Sequence, residues 1–465
     1  MEASGKYLKM TGTPVERLVC SLAVPATVSM LITNIYNIAD TYFVGRLDTQ
    51  SCAAVGVTFA YMSLMQAISF FFGHGSGNFI SRALGARKES EAATMASTGF
   101  FSALIVGLLI ALCSFIAMEP VLRGLGATDT VLPYAERYFR WILVGTPFIV
   151  GCFVMNNQMR FQGNANLAMV GILSGAVINI GLDPLLIFRA GMGVEGAGLA
   201  TAISQAISFT ILFSLSGRRG GIRLRLRNFT PSRHNYTEIV AGGLPSLARQ
   251  GLMAASAICL NNCAGHYGDE ALAAFAIVSR IMHFVSAIII GFGQGYQPVC
   301  GFNFGAGLFA RLRKAFRFCV ISSTGYCLAI AALGIIFAPG IISVFRGEDP
   351  EVVRLGTIIL RAQCLTFPGV GFVTMANMHL QTTRQTFSAL TTAIARHGLF
   401  FIPVVFIGNA YFGVNGLIAA HPVADFCALC IAIPITIAAM RRTMPVDRDG
   451  REEEDSKNLK KLEQH

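Results

Sequence analysis

Six ionisable side chains stand in stretches of sequence that otherwise hold almost none: Asp40, Asp183, Arg249, Arg280, Arg396 and Asp425. A charge inside a long apolar run costs about 2.5–3.5 kcal/mol on insertion scales, so each one calls for a reason. The two acids of the first half, Asp40 and Asp183, are expected to find no base available in the membrane region of their own half. Each lies six residues before an arginine, Arg46 and Arg189 respectively, which is roughly 9 Å along a helix. Asn179 falls one turn before Asp183 on the same helical face. Thr201 reaches a comparable level once the chain turns back near Gly193. Pro184 cannot donate to the carbonyl of Ile180, which leaves a backbone oxygen free at that depth. Two carboxylates, an amide, a hydroxyl and a carbonyl form an oxygen-rich cage. Such a cage suits Na⁺, by analogy with other hard cations, or a shared proton, since two close buried acids are not both ionised cheaply. Asp40, Asn179, Asp183 and Thr201 are therefore the candidate cation-coupling residues and the candidate Na⁺ ligands. No catalytic residue and no cofactor are expected, only a coupling ion, H⁺ or Na⁺.

The elements that must position these residues are legible in the composition. Of 465 residues 54% are hydrophobic and only 13% charged, about half the charge of an average globular domain. That excludes a disordered chain, a coiled coil, a small disulfide scaffold and an ordinary cytosolic enzyme. The twelve cysteines contain no CxxC pair and read as small buried hydrophobes. A membrane helix needs about 20 mostly apolar residues. Twelve stretches qualify: 18–45, 51–81, 92–118, 138–159, 166–188, 196–216, 238–265, 271–302, 318–341, 357–380, 386–408 and 413–438.

The net charge of +11 suggests nucleic acid only until the charges are placed. If the N-terminus, the even-numbered loops and the C-terminus share one side, that side holds 25 of the 36 Lys and Arg, the other side 8, and 3 fall inside spans. Positive charge concentrates in cytoplasmic loops, so both termini are expected in the cytoplasm and nucleic acid is not an expected partner. The segment SGRRGGIRLRLRNFTPSR is the midpoint loop and serves as a topology determinant. The tail from 441 to 465 balances its charges and reads as solvated.

The two halves on either side of that loop align at a constant offset of 220 residues. Pro25 matches Pro245, Gly73 and Gly75 match Gly293 and Gly295, Met155 and Asn157 match Met375 and Asn377, and GVEG at 193–196 matches GVNG at 413–416. One fixed register across most of each half indicates duplication. Six spans per half is an even number, so the repeats are parallel. Folds of this kind bind substrate between two bundles and expose it alternately to each side. The expected architecture is thus an all-α membrane protein of twelve transmembrane helices in two parallel six-helix repeats around a central cavity. Its parts are an N-lobe (1–216), a basic cytoplasmic linker (217–237), a C-lobe (238–440) and the charged tail.

The halves differ in charge. The mate of Asp40 is Leu260, and the second half carries Arg249, Arg280, Arg396 and Asp425, read first as mutual ion pairs holding that bundle. Tyr36, Asn37, Gln66, Asn157 and Gln294, with Arg249 and Arg280, are candidates to line a substrate cavity. Interhelical hydrogen bonding is an equally open role for the polar ones.

The strings AVPATVSMLITNIYNIADTYFVGRL, RFQGNANLAMVGILSGAVINIGLDPLLIF, GQGYQPVCGFNFGA and HPVAD together resemble the multidrug and toxic compound extrusion (MATE) transporters, in particular their prokaryotic DinF-like or MepA-like branch. The resemblance spans nearly the whole chain. It implies two six-helix lobes forming a V, and export of bulky, often cationic organic compounds driven by inward H⁺ or Na⁺. It also implies that Asp40 is the main coupling acid, with Asn179, Asp183 and Thr201 completing the cation-site types. Relatives that use acids on the seventh and tenth helices are not matched here, and His421 stands where an uncharged residue is commoner. A monomer in the inner (plasma) membrane, handling small organic molecules within the lipid bilayer, is the expected setting. A lipid-linked oligosaccharide or lipid flippase of the same superfamily is the alternative. An intramembrane aspartyl protease is remote, because GLDP is not the GxGD such an enzyme requires and a whole-chain repeat has no role in it.

Overall fold

The computed structural model describes residues 2–218, 220–346 and 349–443. Among them there is no strand. Twelve long helices follow one another: α1 (Val15–Gly45), α2 (Thr49–Gly85), α3 (Glu89–Ile116), α4 (Leu132–Phe161), α5 (Ala165–Pro184), α6 (Val194–Leu215), α7 (Arg233–Gly265), α8 (Asp269–Gly305), α9 (Phe309–Arg346), α10 (Pro350–Thr382), α11 (Thr386–Phe412) and α12 (Val414–Thr443). Every span read from the sequence is present, and most run several residues past the apolar window. The stretch 138–159 becomes Leu132–Phe161, and 318–341 becomes Phe309–Arg346. In lipid a helix satisfies its own backbone groups, and it continues into the interface where charged side chains are hydrated. Eleven of the twelve are long and apolar enough to cross a membrane by length and composition. The twelfth, α7, has ample length at 33 residues but carries Arg249, Gln250, Asn261 and Asn262. Short helices at Glu2–Gly12 and Met118–Gly124 complete the list, with one 3-10 turn at Leu226–Asn228. The tail beyond 443 lies outside the described residues.

The duplication is visible in the backbone. Helices α2 and α8 begin and end 220 residues apart at both ends, and α3 and α9, like α6 and α12, start 220 apart. The turn before α6 places Gly193 at φ 59, ψ −137, and the turn before α12 places Gly413 at φ 58, ψ −137. Side chains rarely adopt a positive φ, so the two GVxG strings hold one turn geometry written twice.

The chain forms two compact units. One comprises Ser21–Gly243 together with the residues up to Tyr7, the other Leu8–Cys20 together with the chain from Leu244 onward. The first is organised on α4, which packs against α2, α3 and α6. Its core holds Phe100, Tyr138, Phe139, Ile142 and Val150, all at most 1% exposed. Within this unit the start of α7 closes on α2, where Arg82 and Glu238 pair at 2.8 Å. The second unit repeats the plan on α10, which packs against α8, α9 and α12. All twelve cysteines are free, and half are buried; Cys20, Cys113 and Cys430 are exposed.

Two helices depart from α geometry. Beyond Pro184, α5 continues as a π turn over Leu185–Arg189, and α11 contains another over Ala395–Phe400. Such turns widen a helix, re-aim neighbouring side chains and cluster at functional sites. Neither is foreshadowed in the sequence.

Candidate cation site

The four oxygen-bearing residues singled out by type and spacing are all buried: Asp40 is 8% exposed, Asn179 1%, Asp183 0% and Thr201 1%. Asn179 Nδ2 donates to Asp183 Oδ1 at 3.4 Å, as one helical turn requires, and lies 3.5 Å from Thr201 Oγ1 on α6. Asp40 and Asp183 are close enough to feel one another electrostatically. No ion pair reaches either carboxylate among the described residues.

Tyr138, near the start of α4 and fully buried, stands beside Asp40. Its hydroxyl donates to Asp40 Oδ2 at 3.4 Å. Sequence reasoning missed it, because the apolar window of α4 opens at 138 and places this residue at the membrane surface. The structure starts that helix at Leu132, which puts Tyr138 nearly two turns inside. Tyr36 is half-buried one helical turn before Asp40.

Three oxygens in the group have no hydrogen-bond partner: Asp40 Oδ1, Asn179 Oδ1 and Asp183 Oδ2. Buried polar atoms are normally satisfied. With the Thr201 hydroxyl they offer a donor set composed only of oxygen, which fits a small hard cation or a proton and not a soft metal. Among the described residues no group of three or more His, Cys, Asp or Glu is placed to hold a metal ion. Replacing Tyr138 with Phe removes one donor to Asp40 and no bulk. Its expected effect is a shift of about two- to tenfold in apparent cation affinity, as for loss of one ordinary hydrogen bond, because the contact is long at 3.4 Å. Titration of the purified variant with Na⁺ and with acid, read by tryptophan fluorescence of Trp141, checks this.

The remaining candidates scatter. Asn37 and Gln66 are half-buried. Asn157 is 1% exposed but committed to its own helix: Nδ2 donates to the Phe153 carbonyl, and Oδ1 accepts from Arg160. Arg160 itself corrects the expectation that the first half's apolar region lacks a base. It lies just beyond the apolar stretch 138–159, yet α4 extends through Phe161 and buries it at 2% exposure. Gln294 is buried on α8.

In the second unit the expected set of mutual ion pairs is only partly formed. Arg396 Nε and Asp425 Oδ1 pair at 2.6 Å. Arg249 instead donates to the neutral Asn377 Oδ1 at 3.0 Å. Arg280 is exposed. One acid cannot neutralise three bases, and the amide is what lies within reach of Arg249.

A duplicated bundle of membrane-crossing helices is the architecture of a membrane transporter rather than of an enzyme. The MatE family profile matches this chain twice, at residues 25–185 and 245–407, one match per repeat, and the chain belongs to that family. It is 30% identical to the multidrug export protein MepA of Staphylococcus haemolyticus over 432 residues, covering 92% of this chain and 94% of that one. MepA of Staphylococcus aureus strain MSSA476 is also 30% identical, over 93% of this chain and 96% of its own length. Among solved structures, an outward-facing multidrug resistance MATE transporter of the MOP superfamily superposes with a TM-score of 0.87 at 26% identity, covering 94% of this chain and 98% of that one.

Proposed function

We propose that this chain is a multidrug exporter that expels bulky, often cationic organic compounds in exchange for H⁺ or Na⁺, with the ion taken up among Asp40, Asn179, Asp183 and Thr201. The observation that carries the reading is that Asp40, Asn179 and Asp183 each bury an oxygen without a hydrogen-bond partner and that, among the described residues, no ion pair reaches either carboxylate. The export of drugs comes from the named activity of the MepA relatives. In this scheme the entering cation neutralises the cluster, affinity for a cationic substrate falls, and the substrate leaves to the outside. The ion is then released to the cytoplasm and the site is free to accept substrate again. Coupling requires that ion and substrate each discriminate between the two states, since a ligand indifferent to state shifts nothing. Tyr36, Asn37 and Gln66 line the substrate path in this scheme, both termini face the cytoplasm, and the chain works in the cell membrane as a monomer of an N-lobe and a C-lobe.

Purified protein in liposomes, with pH and sodium gradients imposed separately, provides the test. Export of a cationic dye such as ethidium is expected under one of the two gradients and not in its absence. Failure of both gradients to move the dye, with translocation of a labelled lipid instead, overturns the proposal in favour of a flippase.

A further inference from the structure

The second unit contains a chamber of about 230 Å³ whose lining includes Arg249, Asn377, Arg396, His397, His421 and Asp425. The 220-residue register relates it to the cation cluster of the first. Leu260, at the place Asp40 holds, borders the chamber; so do His421, the mate of Thr201, and Asp425, the mate of Gln205. The duplicated scaffold has therefore set this chamber at positions related to the acidic cluster of the first half and reversed the charge around it. Where the first half sets two carboxylates, the second sets two guanidiniums and one carboxylate.

The carboxylate is already committed, because Asp425 Oδ1 lies 2.6 Å from Arg396 Nε. Arg249 is the uncompensated charge. Its partner Asn377 is held with Nδ2 donating to the Ala389 carbonyl at 2.7 Å and to Thr392 Oγ1 at 2.9 Å, which turns Oδ1 toward the guanidinium. A neutral amide thus fixes the guanidinium in position without cancelling it. One of the five N–H donors is occupied, and the rest of the planar fork remains available. The π turn at Ala395–Phe400 brings the consecutive residues Arg396 and His397 onto the same chamber. The other walls are largely apolar, with Leu260, Ile289 and Phe401 among them. An unneutralised guanidinium inside a membrane helix is costly, and burial is offset when an anion completes the pair.

We propose that this chamber is a binding site for an organic carboxylate with an apolar body, the carboxylate received by the Arg249 fork. A single negative charge matches the excess of one positive charge, and a planar two-oxygen group matches the guanidinium geometry. A phosphate dianion would bring more charge than the chamber offsets. The inference stands on the charge reversal within the repeat and does not require cation coupling at Asp40.

Calorimetry on the purified full chain in nanodiscs, with no ion gradient, tests it through 2-naphthoate, its neutral isostere 2-naphthamide, and the cation 2-naphthylmethylammonium. The carboxylate is expected to bind about tenfold or more tightly than the amide, and the ammonium weakest of the three. Arg249→Gln is expected to abolish the preference, and Arg249→Lys, which keeps the charge without the fork, to retain part of it. Equal binding of naphthoate and naphthamide by the unaltered protein overturns the proposal whatever the variants do. A preference that survives Arg249→Gln overturns it as well. Because no gradient is imposed, failure here leaves the coupling scheme untouched, and failure of gradient-driven export leaves this site untouched.

Discussion

Asp40→Asn is expected to reduce gradient-driven export to the level of empty liposomes while the protein remains folded and continues to bind substrate. The substitution preserves the shape of the side chain and removes the charge. Asp40 Oδ1 has no partner and Oδ2 has one long hydrogen bond from Tyr138, so no ion pair is broken by neutralising it. An amide is also cheaper than a carboxylate to hold inside a membrane helix, so stability is expected to hold or rise.

The functional loss is different in kind. The cluster has two carboxylates, and a cation bound among them is stabilised by both. Removing one charge from a buried, desolvated pair of partners costs on the order of 2–5 kcal/mol, or about 30-fold and upward in affinity. Without ion binding the two conformational states are no longer distinguished by the gradient, and the driving force has nothing to act on. Dye binding to the variant, measured by fluorescence, confirms folding. Dye export from proteoliposomes under a pH or sodium gradient gives the result. Undiminished export by Asp40→Asn removes this residue from the coupling scheme.

The positions of Asp40, Asn179, Asp183 and Thr201 were legible because each could be placed by rise along a single helix from a recognisable end. Asp183 and Asn179 meet through the helical period itself, and Thr201 through the turn fixed by Gly193. Tyr138 and Arg160 were not legible for a shared reason. Both belong to α4, whose ends overrun its apolar window, and hydropathy marks where a helix enters hydrocarbon rather than where its hydrogen bonding stops. The π turn beyond Pro184 was equally hidden, since proline signals a break without specifying the geometry that follows it. The duplication was legible in register and in charge difference. What the sequence could not show is that Arg249 would find an amide and not a carboxylate, because that depends on which faces of α7 and α10 meet.

The buried Arg396–Asp425 ion pair of the second unit offers the other large effect, on stability. Arg396→Met is expected to lower the melting temperature of the purified protein sharply, whereas Arg396→Met combined with Asp425→Leu recovers most of the loss. Asp425 is 6% exposed on its side chain, so removing Arg396 strands a carboxylate out of water. Breaking one partner of a buried pair typically costs about 3–5 kcal/mol, while replacing both by apolar groups of similar volume is often neutral. The value here belongs at the lower end, because the Arg396 side chain is 22% exposed and partly hydrated. The comparison turns on non-additivity: the second substitution helps only in the presence of the first, which a double-mutant cycle measures as coupling. If the double variant melts no higher than Arg396→Met alone, charge compensation is not what Arg396 supplies. Its long side chain would then be stabilising the π turn of α11 by packing, and Arg396→Lys would be expected to behave like Arg396→Met.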